Sequence, residues 1–278
     1  MIAFVREVGR SLARCELTYL ARAPIDVPLA QRQHAQYVAE LRALGCRLEW
    51  LPPLAEHADG VFVEDTAVLV AEVAVITRPG AASRRDEVET VAAALARHVP
   101  LRRVTDPACL EGGDVLLIAR TLYVGASGRT NPAGAAQLAK GLAPFGYAVR
   151  EVALHDCLHL KSACTFIPPD VLLANPSWID PAAFDVGVVI AVHPDEPFAA
   201  NTLTLRGLTL VSSAYPRTQR ALEAAGIATR AVDVSELHKA EAALTCMSLV
   251  LPPSAALSSS RRRAAPRGTQ PLRARSRS

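Results

Sequence analysis

The chain has 278 residues, half of them apolar, which is enough to bury a large core and excludes disorder along the whole length. Lys and Arg total 30 against 27 Asp and Glu, a formal net charge of +3. The apolar runs are far shorter than the roughly 20 residues that span a bilayer, and the N-terminus is too polar for a signal peptide. We therefore expect a globular cytoplasmic protein with no membrane partner.

The positive charge is concentrated near the C-terminus. Residues 254–278 contain seven arginines and no acidic residue, which leaves 23 Lys and Arg against 27 Asp and Glu, a net charge of −4, for the rest of the chain. The composition predicts a single folded domain over residues 1–251 and a disordered Arg/Ser/Pro-rich tail over residues 252–278. The acidic body gives no reason to expect a nucleic-acid partner.

The cysteines do not form a metal-binding or disulfide pattern. They are spread along the chain, with no CxxC pair and no histidines at zinc-finger spacing. The six are Cys15, Cys46, Cys109, Cys157, Cys164 and Cys246. We predict reduced thiols that lie mostly in the core, and we expect neither a metal nor a cofactor.

Hairpins and helices alternate along the chain, as judged from apolar runs, turn residues and helical apolar spacing. In chain order, the predicted elements are strands 61–70 and 73–78, helix 84–99, strands 113–119 and 122–125, helix 132–142, strands 160–167 and 171–174, strands 201–205 and 208–212, helices 216–225 and 235–243, and strand 244–251. Asn131 followed by Pro132 predicts a capped start for helix 132–142.

The first strands of these hairpins recur at a nearly constant interval. The residues at their starts are Glu64, Glu111, His159, Asn201 and Cys246, which are 47, 48, 42 and 45 residues apart. A period in the forties indicates an array of equivalent units. We predict an α/β ring of five units, each with a hairpin, a helix and a further strand, in which the N-terminal segment completes the last unit.

A closed ring would bring these starts to a shared centre, where their chemistry is complementary. Cys246 is a candidate nucleophile, His159 a candidate general acid and base, and Glu111 a carboxylate that can orient the imidazole. Glu64 and Asp65 are adjacent carboxylates in an apolar run, an arrangement that is costly unless they meet a cation such as a guanidinium. Each residue alone has an ordinary structural explanation, but their joint occurrence favours one site.

Two arginines follow the hairpins at corresponding positions. Arg84 lies 20 residues after Glu64, and Arg129 lies 18 residues after Glu111. Either one alone is explained as a surface arginine, but together they can hold a carboxylate. A ligand with a guanidinium at one end and a carboxylate at the other is an arginine derivative.

Seven segments occur in an order that closely resembles the dimethylarginine dimethylaminohydrolase family over about residues 1–251. They are FVEDTAVLVAEVAVITRPGAASRRDEV, EGGDVL, YVGASGRTN, LHLKSA, AANTL, YPRT and LTCMSL. The family is part of the guanidino-group-modifying, or pentein, superfamily. The resemblance implies a five-bladed α/β propeller of ββαβ units. It also implies hydrolysis of asymmetric dimethylarginine or monomethylarginine to L-citrulline and dimethylamine or methylamine, through a covalent cysteine intermediate.

The resemblance further implies roles for individual residues. Cys246 matches the nucleophile, His159 the general acid and base, and Glu111 its acidic partner. The implied substrate contacts are Asp59, Glu64 and Asp65 for the guanidino end and the substrate backbone, Arg84 and Arg129 for the carboxylate, and backbone groups of Ala240 and of Leu17, on an N-terminal lid loop, for the amino group.

Two short segments depart from the family pattern, and several alternatives stay open. Ala240-Glu241-Ala242 replaces a larger β-branched residue followed by Asp-Gly, and Asn201-Thr202 replaces Asn-Cys.

The alternatives within the superfamily are an arginine deiminase and a citrulline hydrolase. The others are a non-enzymatic sensor of an arginine derivative or metal, and nucleic-acid binding by the tail. The oligomeric state is open, with a homodimer as one option.

Overall fold

The computed structural model describes residues 1–252, so the predicted tail lies outside the described residues apart from Pro252. The strands are β1 Ile2–Val5, β2 Arg47–Trp50, β3 Ala67–Leu69, β4 Ala74–Ile76, β5 Leu101–Arg103, β6 Val115–Ile118, β7 Thr121–Ala126, β8 Ala148–Ala153, β9 Cys164–Ile167, β10 Val171–Ala174, β11 Val188–Ala191, β12 Leu203–Leu205, β13 Leu208–Ser212, β14 Thr229–Val232 and β15 Leu249–Leu251. The α-helices are α1 Val27–Ala43, α2 Glu87–Leu95, α3 Pro132–Leu142, α4 Leu160–Ala163, α5 Pro216–Ala224 and α6 Ser235–His238.

The described strands form five sheets of three strands each, in the orders β15-β1-β2, β3-β4-β5, β6-β7-β8, β9-β10-β11 and β12-β13-β14. In every sheet the first two strands are antiparallel and the third is parallel to the second. The sheet β15-β1-β2 joins the last strand of the domain to the first two. The prediction that the N-terminal segment completes the last unit is thus confirmed.

The first strand of each sheet lies at the centre of the ring. Contacts join β15 to β3, β6 to β9 and β9 to β12. A channel of about 230 Å³ is lined by residues of all five of these inner strands. The five sheets therefore surround one axis, which confirms the predicted five-unit α/β ring.

The long helices pack between neighbouring sheets. Leu138 and Leu142 of α3 join a buried apolar cluster with Val68 of β3, Val75 of β4 and Leu122 of β7. Burial of side chains of this size contributes about 1.5–3 kcal/mol each to stability. The predicted cap of α3 is also present, because the Asn131 side chain accepts a hydrogen bond from Gly134 N. No helix within residues 1–252 is both long and apolar enough to cross a membrane.

Four predicted strands begin too early, because short helical turns precede the strands. Strand 113–119 begins inside the 3₁₀ turn Gly112–Asp114, which precedes β6. Strand 61–70 is the 3₁₀ turn Val63–Thr66 followed by β3, strand 160–167 is α4 followed by β9, and strand 244–251 is the 3₁₀ turn Thr245–Met247 followed by β15. A short buried apolar run has no period that distinguishes a turn of helix from a strand. The candidate functional residues lie in or beside these turns.

Two predicted helices are too long. Helix 84–99 is α2 preceded by a 3₁₀ turn that includes Arg84, and it ends before Val99, whose position next to Pro100 disfavours helical backbone. Helix 235–243 is reduced to α6, since Glu241 has φ +55, in the left-handed region that no right-handed helix contains.

Candidate active site

Helical turns at the starts of the inner strands carry most of the candidate residues. The 3₁₀ turn Val63–Thr66 contacts the turns Gly112–Asp114 and Thr245–Met247, and α4 also contacts Gly112–Asp114. Glu64 and Asp65 lie in the turn Val63–Thr66, and Cys246 lies in the turn Thr245–Met247. Glu111 immediately precedes the turn Gly112–Asp114, and His159 immediately precedes α4. Of the five equivalent strand starts, four carry an ionisable group, and the ring brings these four together.

Two glycines allow these turns to approach closely. A Cβ atom on Gly112 would lie 2.0 Å from Glu64 O, and a Cβ atom on Gly113 would lie 2.7 Å from both Asp65 Oδ1 and His159 Nδ1. A side chain at Gly112 would meet the backbone of Glu64 and push the turns apart, whereas one at Gly113 would meet the side chains of Asp65 and His159.

His159 lies between two carboxylates. Its Nε2 is 2.7 Å from Glu111 Oε2, and its Nδ1 is 3.9 Å from Asp65 Oδ1. Burial by itself lowers the pKa of His159. The surrounding carboxylates of Asp65, Asp114 and Glu111 outweigh burial and raise that pKa to about 9. The imidazole is therefore cationic at neutral pH and can donate a proton from a fixed position.

A buried arginine fixes the second carboxylate. Arg84 Nη1 donates to Asp65 Oδ2 at 2.6 Å, and Arg84 Nη2 donates to Glu87 Oε2 at 2.9 Å and to Phe62 O at 2.9 Å. Burial by itself raises the pKa of Asp65, but His159 and Arg84 together hold it below its usual value. Most donors of Arg84 are thus used by the protein, and its evident effect is to hold Asp65 in place.

Asp114 was not singled out from the sequence, although it follows Glu111 in the segment EGGD. Its carboxylate is buried and accepts hydrogen bonds from Leu160 N, at 3.1 Å, and from Ser127 Oγ and Thr130 Oγ1. Burial raises the pKa of Asp114 to about 6. The bond to Leu160 N fixes the backbone next to His159.

Cys246 is partly buried. Its Sγ accepts a hydrogen bond from Ala243 N at 3.4 Å. Burial, followed by the carboxylates of Glu64 and Asp65, raises the pKa of the Cys246 thiol to about 12. Without a bound cation the thiol is therefore protonated.

Glu64 faces the central channel instead of the cavities beside Cys246. Its carboxylate accepts from Lys161 Nζ at 2.6 Å and from Thr245 Oγ1 at 2.6 Å. Asn201, at the fourth equivalent start, binds both Thr245 N and Thr245 Oγ1 through its side chain. These bonds fix the turn that contains the nucleophile candidate, and no pattern in the sequence indicated the role of Lys161.

Two cavities meet at Cys246. The first, of about 30 Å³, is polar and is lined by Cys246 together with seven other predicted residues: Asp59, Asp65, Arg84, Glu111, Arg129, His159 and Ala240. The second, of about 120 Å³, is more apolar and includes Leu20, Phe198 and Tyr215. Leu17 lines neither cavity, and its side chain packs against a large apolar cluster that includes Ala240.

Arg129 and Asp59 connect the polar cavity to the N-terminal loop. Arg129 Nη2 donates to Thr18 Oγ1 at 3.0 Å, and Arg129 Nη1 is 3.9 Å from Glu111 Oε1. Asp59 Oδ2 accepts from Glu16 N at 3.1 Å, and burial raises the pKa of Asp59 to about 6. Arg129 has more free donors than Arg84 and is the better placed of the two to hold an anionic group.

One group of side chains within residues 1–252 has the spacing of a metal site. Ligand atoms of Asp65, Glu111 and His159 lie within 4.8 Å of one another. The hydrogen bond between His159 and Glu111 and the ion pair between Asp65 and Arg84 account for this geometry.

The fold and the site together define a member of the pentein superfamily. The family model described as arginine deiminase matches residues 50–199. The N-terminal domain of ArgZ, a cyanobacterial arginine dihydrolase, shares the fold with a TM-score of 0.81 at 18% identity, over 90% of this chain and 98% of that one.

The chain belongs to the dimethylarginine dimethylaminohydrolase family. It is 38% identical to the N(G),N(G)-dimethylarginine dimethylaminohydrolase of Streptomyces coelicolor, over 90% of this chain and 96% of that protein. It is 33% identical to the Pseudomonas aeruginosa protein of the same name, over 88% and 99%. The human putative hydrolase DDAH2 is 35% identical, over 90% and 93%.

Two solved structures of these enzymes superpose well. A cysteine-to-serine variant of the Pseudomonas aeruginosa enzyme complexed with citrulline gives a TM-score of 0.84 at 32% identity, over 89% of this chain and 97% of that one. A histidine-to-glycine variant of a dimethylarginine dimethylaminohydrolase, in an adduct with S-methyl-L-thiocitrulline, also gives 0.84 at 32% identity, over 89% and 98%.

Proposed function

We propose that this chain hydrolyses N(ω)-methylated arginines, namely asymmetric dimethylarginine and monomethylarginine, to L-citrulline and dimethylamine or methylamine. One observation carries the proposal: Cys246, the His159–Glu111 pair and Asp65 line a single polar cavity. The likeness to dimethylarginine dimethylaminohydrolases over nine-tenths of the chain supports this choice of substrate.

The substrate guanidinium supplies the charge that activates the nucleophile. The free thiol of Cys246 has a pKa raised to about 12 by burial and by nearby carboxylates. A bound guanidinium introduces a positive charge beside the sulfur and is itself held by Asp65, so it favours the thiolate. The thiolate then attacks the central guanidinium carbon, and the thiol proton leaves to solvent.

His159 acts as acid in the first half of the reaction and as base in the second. The protonated imidazole gives its proton to the departing amine, the C–N bond breaks, and a thiouronium adduct on Cys246 remains. A water molecule, deprotonated by the neutral imidazole, adds to the same carbon. The C–S bond then breaks and citrulline is released, while Glu111 keeps the ring oriented throughout.

The polar groups around the cavity bind the amino-acid end of the substrate. Arg129 pairs with the carboxylate, and Arg84 contributes chiefly by holding Asp65. Asp59 and Asp65 receive the guanidino N–H groups, while Glu64 acts from the channel side through the turn that it binds. Backbone carbonyls of Leu17 and Ala240 accept from the ammonium group.

Arginine deimination is the second candidate, because the family model that matches the chain is described as arginine deiminase. The same groups would perform it, with ammonia as the leaving group. Citrulline release from arginine, monomethylarginine and asymmetric dimethylarginine separates the two. We expect release from the two methylated substrates and none from either with Cys246→Ser. Release from arginine alone would overturn the proposal in favour of deimination.

We also propose that the protein acts in the cytoplasm. All six cysteines are free thiols in the structure, and a reducing compartment would keep Cys246 in the reactive form. A homodimer remains a prediction, which sedimentation of the purified chain would test.

A further inference from the structure

Glu241 holds the loop that covers the site. Its carboxylate accepts hydrogen bonds from three successive backbone N–H groups, those of Thr18 at 2.9 Å and of Tyr19 and Leu20 at 2.5 Å each. More than 200 residues separate the partners in the chain. Glu241 also lines both cavities that meet at Cys246.

The backbone of Glu241 is strained in order to make these bonds. Its φ of +55 is uncommon for a residue with a Cβ atom. Such strain persists where the surrounding structure compensates for it, and here charge-assisted hydrogen bonds to three amides do so.

These hydrogen bonds also orient two carbonyl groups. A peptide bond is planar and trans, so its C=O points opposite to its N–H. The Leu17 carbonyl shares a peptide with Thr18 N, which donates to Glu241, and the Ala240 carbonyl shares a peptide with Glu241 N, which donates to His238 O at 3.0 Å. Glu241 therefore takes part in fixing both carbonyls, one through its side chain and one through its backbone.

Other bonds hold the ends of the loop, and at its centre Arg129 Nη2 also donates to the Thr18 side chain. Asp26 N donates to Glu236 Oε2, and Lys239 Nζ donates to Pro24 O. Glu236 thus anchors the end of the loop near α1, away from Leu17. It provides a matched control, because it is also a glutamate that binds the loop.

We propose that Glu241 is a positioning residue that sets recognition of the substrate α-ammonium group, by holding the Leu17 and Ala240 carbonyls in a fixed relation. This rests on the proposed function, in which those carbonyls accept from the ammonium group. A substrate that lacks this group gains little from the arrangement. Glu241 therefore selects for α-amino acids over other alkylated guanidines.

The first test compares asymmetric dimethylarginine with its analogue that lacks the α-amino group, 5-(N,N-dimethylguanidino)pentanoate. Glu241→Ala is expected to raise KM for the amino acid roughly tenfold, the equivalent of one good hydrogen bond to a charge, and to leave KM for the analogue within about twofold. Glu241→Gln, which keeps one acceptor oxygen, is expected to lose less. Glu236→Gln is expected to leave the ratio of the two KM values unchanged.

Equal increases in KM for both substrates, or the same change in ratio with Glu236→Gln, would show a general role in loop folding and would overturn the proposal. Hydrogen exchange at the amides of Thr18, Tyr19 and Leu20 gives a readout that needs no substrate. It should accelerate in Glu241→Ala, and unchanged exchange also overturns the proposal. If the unaltered chain releases no citrulline from any methylarginine, the proposed function fails. The hydrogen-exchange result then still tests whether Glu241 holds the loop, because that measurement needs no substrate.

Discussion

Gly113 is the position at which one added methyl group should disturb the reacting groups without strain in the backbone. A Cβ atom there would lie 2.7 Å from both His159 Nδ1 and Asp65 Oδ1, whereas ordinary contact begins at about 3.4 Å. Gly113→Ala must therefore move the imidazole, the carboxylate or both by roughly 0.7 Å, the difference between these distances. Gly113 lies outside the left-handed region, so an alanine can adopt its backbone conformation.

A displacement of this size should appear in catalysis more than in stability. Misplacement of a reacting group by about 1 Å can cost on the order of 100-fold in rate. We expect kcat for asymmetric dimethylarginine to fall by roughly 30- to 100-fold, with thermal unfolding shifted only slightly. Citrulline release under saturating substrate measures the first and calorimetry the second.

Gly141→Ala is the matched control, because a Cβ atom at this position in α3 has no neighbour within 4 Å. It should keep full activity and gain a little stability, since alanine favours helix over glycine. Gly112→Ala is a second comparison, in which stability and not only activity should be lost. Its Cβ atom would meet the backbone of Glu64, so we expect poor folding. If Gly113→Ala kept kcat within about twofold of the unaltered chain, the account of His159 and Asp65 as reacting neighbours would be refuted.

Three further predictions concern charge, substrate binding and the tail. The pKa of His159 is about 9 in the folded protein, against 6.5 for an ordinary histidine. Its protonation therefore stabilises the fold fully below pH 6.5, and this stability is lost as pH rises through 9. Unfolding free energy should therefore fall by up to about 3 kcal/mol over this range, and Glu111→Gln should reduce the loss; identical pH slopes would contradict this. Arg129→Met should raise KM for asymmetric dimethylarginine by roughly tenfold or more but have little effect on dimethylagmatine, which has no carboxylate, and equal losses for both would count against a carboxylate role. Truncation after Pro252 should leave kcat/KM and Tm unchanged, and a loss of either would show that the single domain does not end near residue 251.

The architecture could be predicted because it is repeated. The interval between Glu64, Glu111, His159 and Cys246 indicated equivalent units, and each now lies at the start of an inner strand of one ring. The hairpins were recognisable from turn residues between apolar runs. The boundaries were less accurate, because the short helical turns before β3, β9 and β15 are buried or partly buried like the strands into which they lead.

The partners of the candidate residues were harder to predict than the residues themselves. The contact between Arg84 and Glu87 is local, but the contact between Lys161 and Glu64 joins residues 97 positions apart. No pattern in one sequence indicates such a pair. For the same reason the sequence suggested that Arg84 holds a ligand, whereas the structure shows most of its donors bonded to the protein.

Glu241 illustrates the limit of reasoning from resemblance. Its segment departs from the family pattern, and the departure by itself indicated only that substrate size and affinity could differ. The three hydrogen bonds to Thr18, Tyr19 and Leu20 depend on a left-handed backbone and on a loop more than 200 residues away. Both features depend on tertiary structure.

The central claim is that Cys246 forms a covalent bond to the guanidinium carbon and that His159 governs its hydrolysis. S-methyl-L-thiocitrulline, whose thiolate leaving group needs little help from an acid, should form an adduct that accumulates in His159→Gly, because the base for hydrolysis is absent. Mass spectrometry of the digested protein should place that adduct on Cys246, with none in a variant that also carries Cys246→Ser. Citrulline formation by Cys246→Ser, or an adduct on any other residue, would contradict the account.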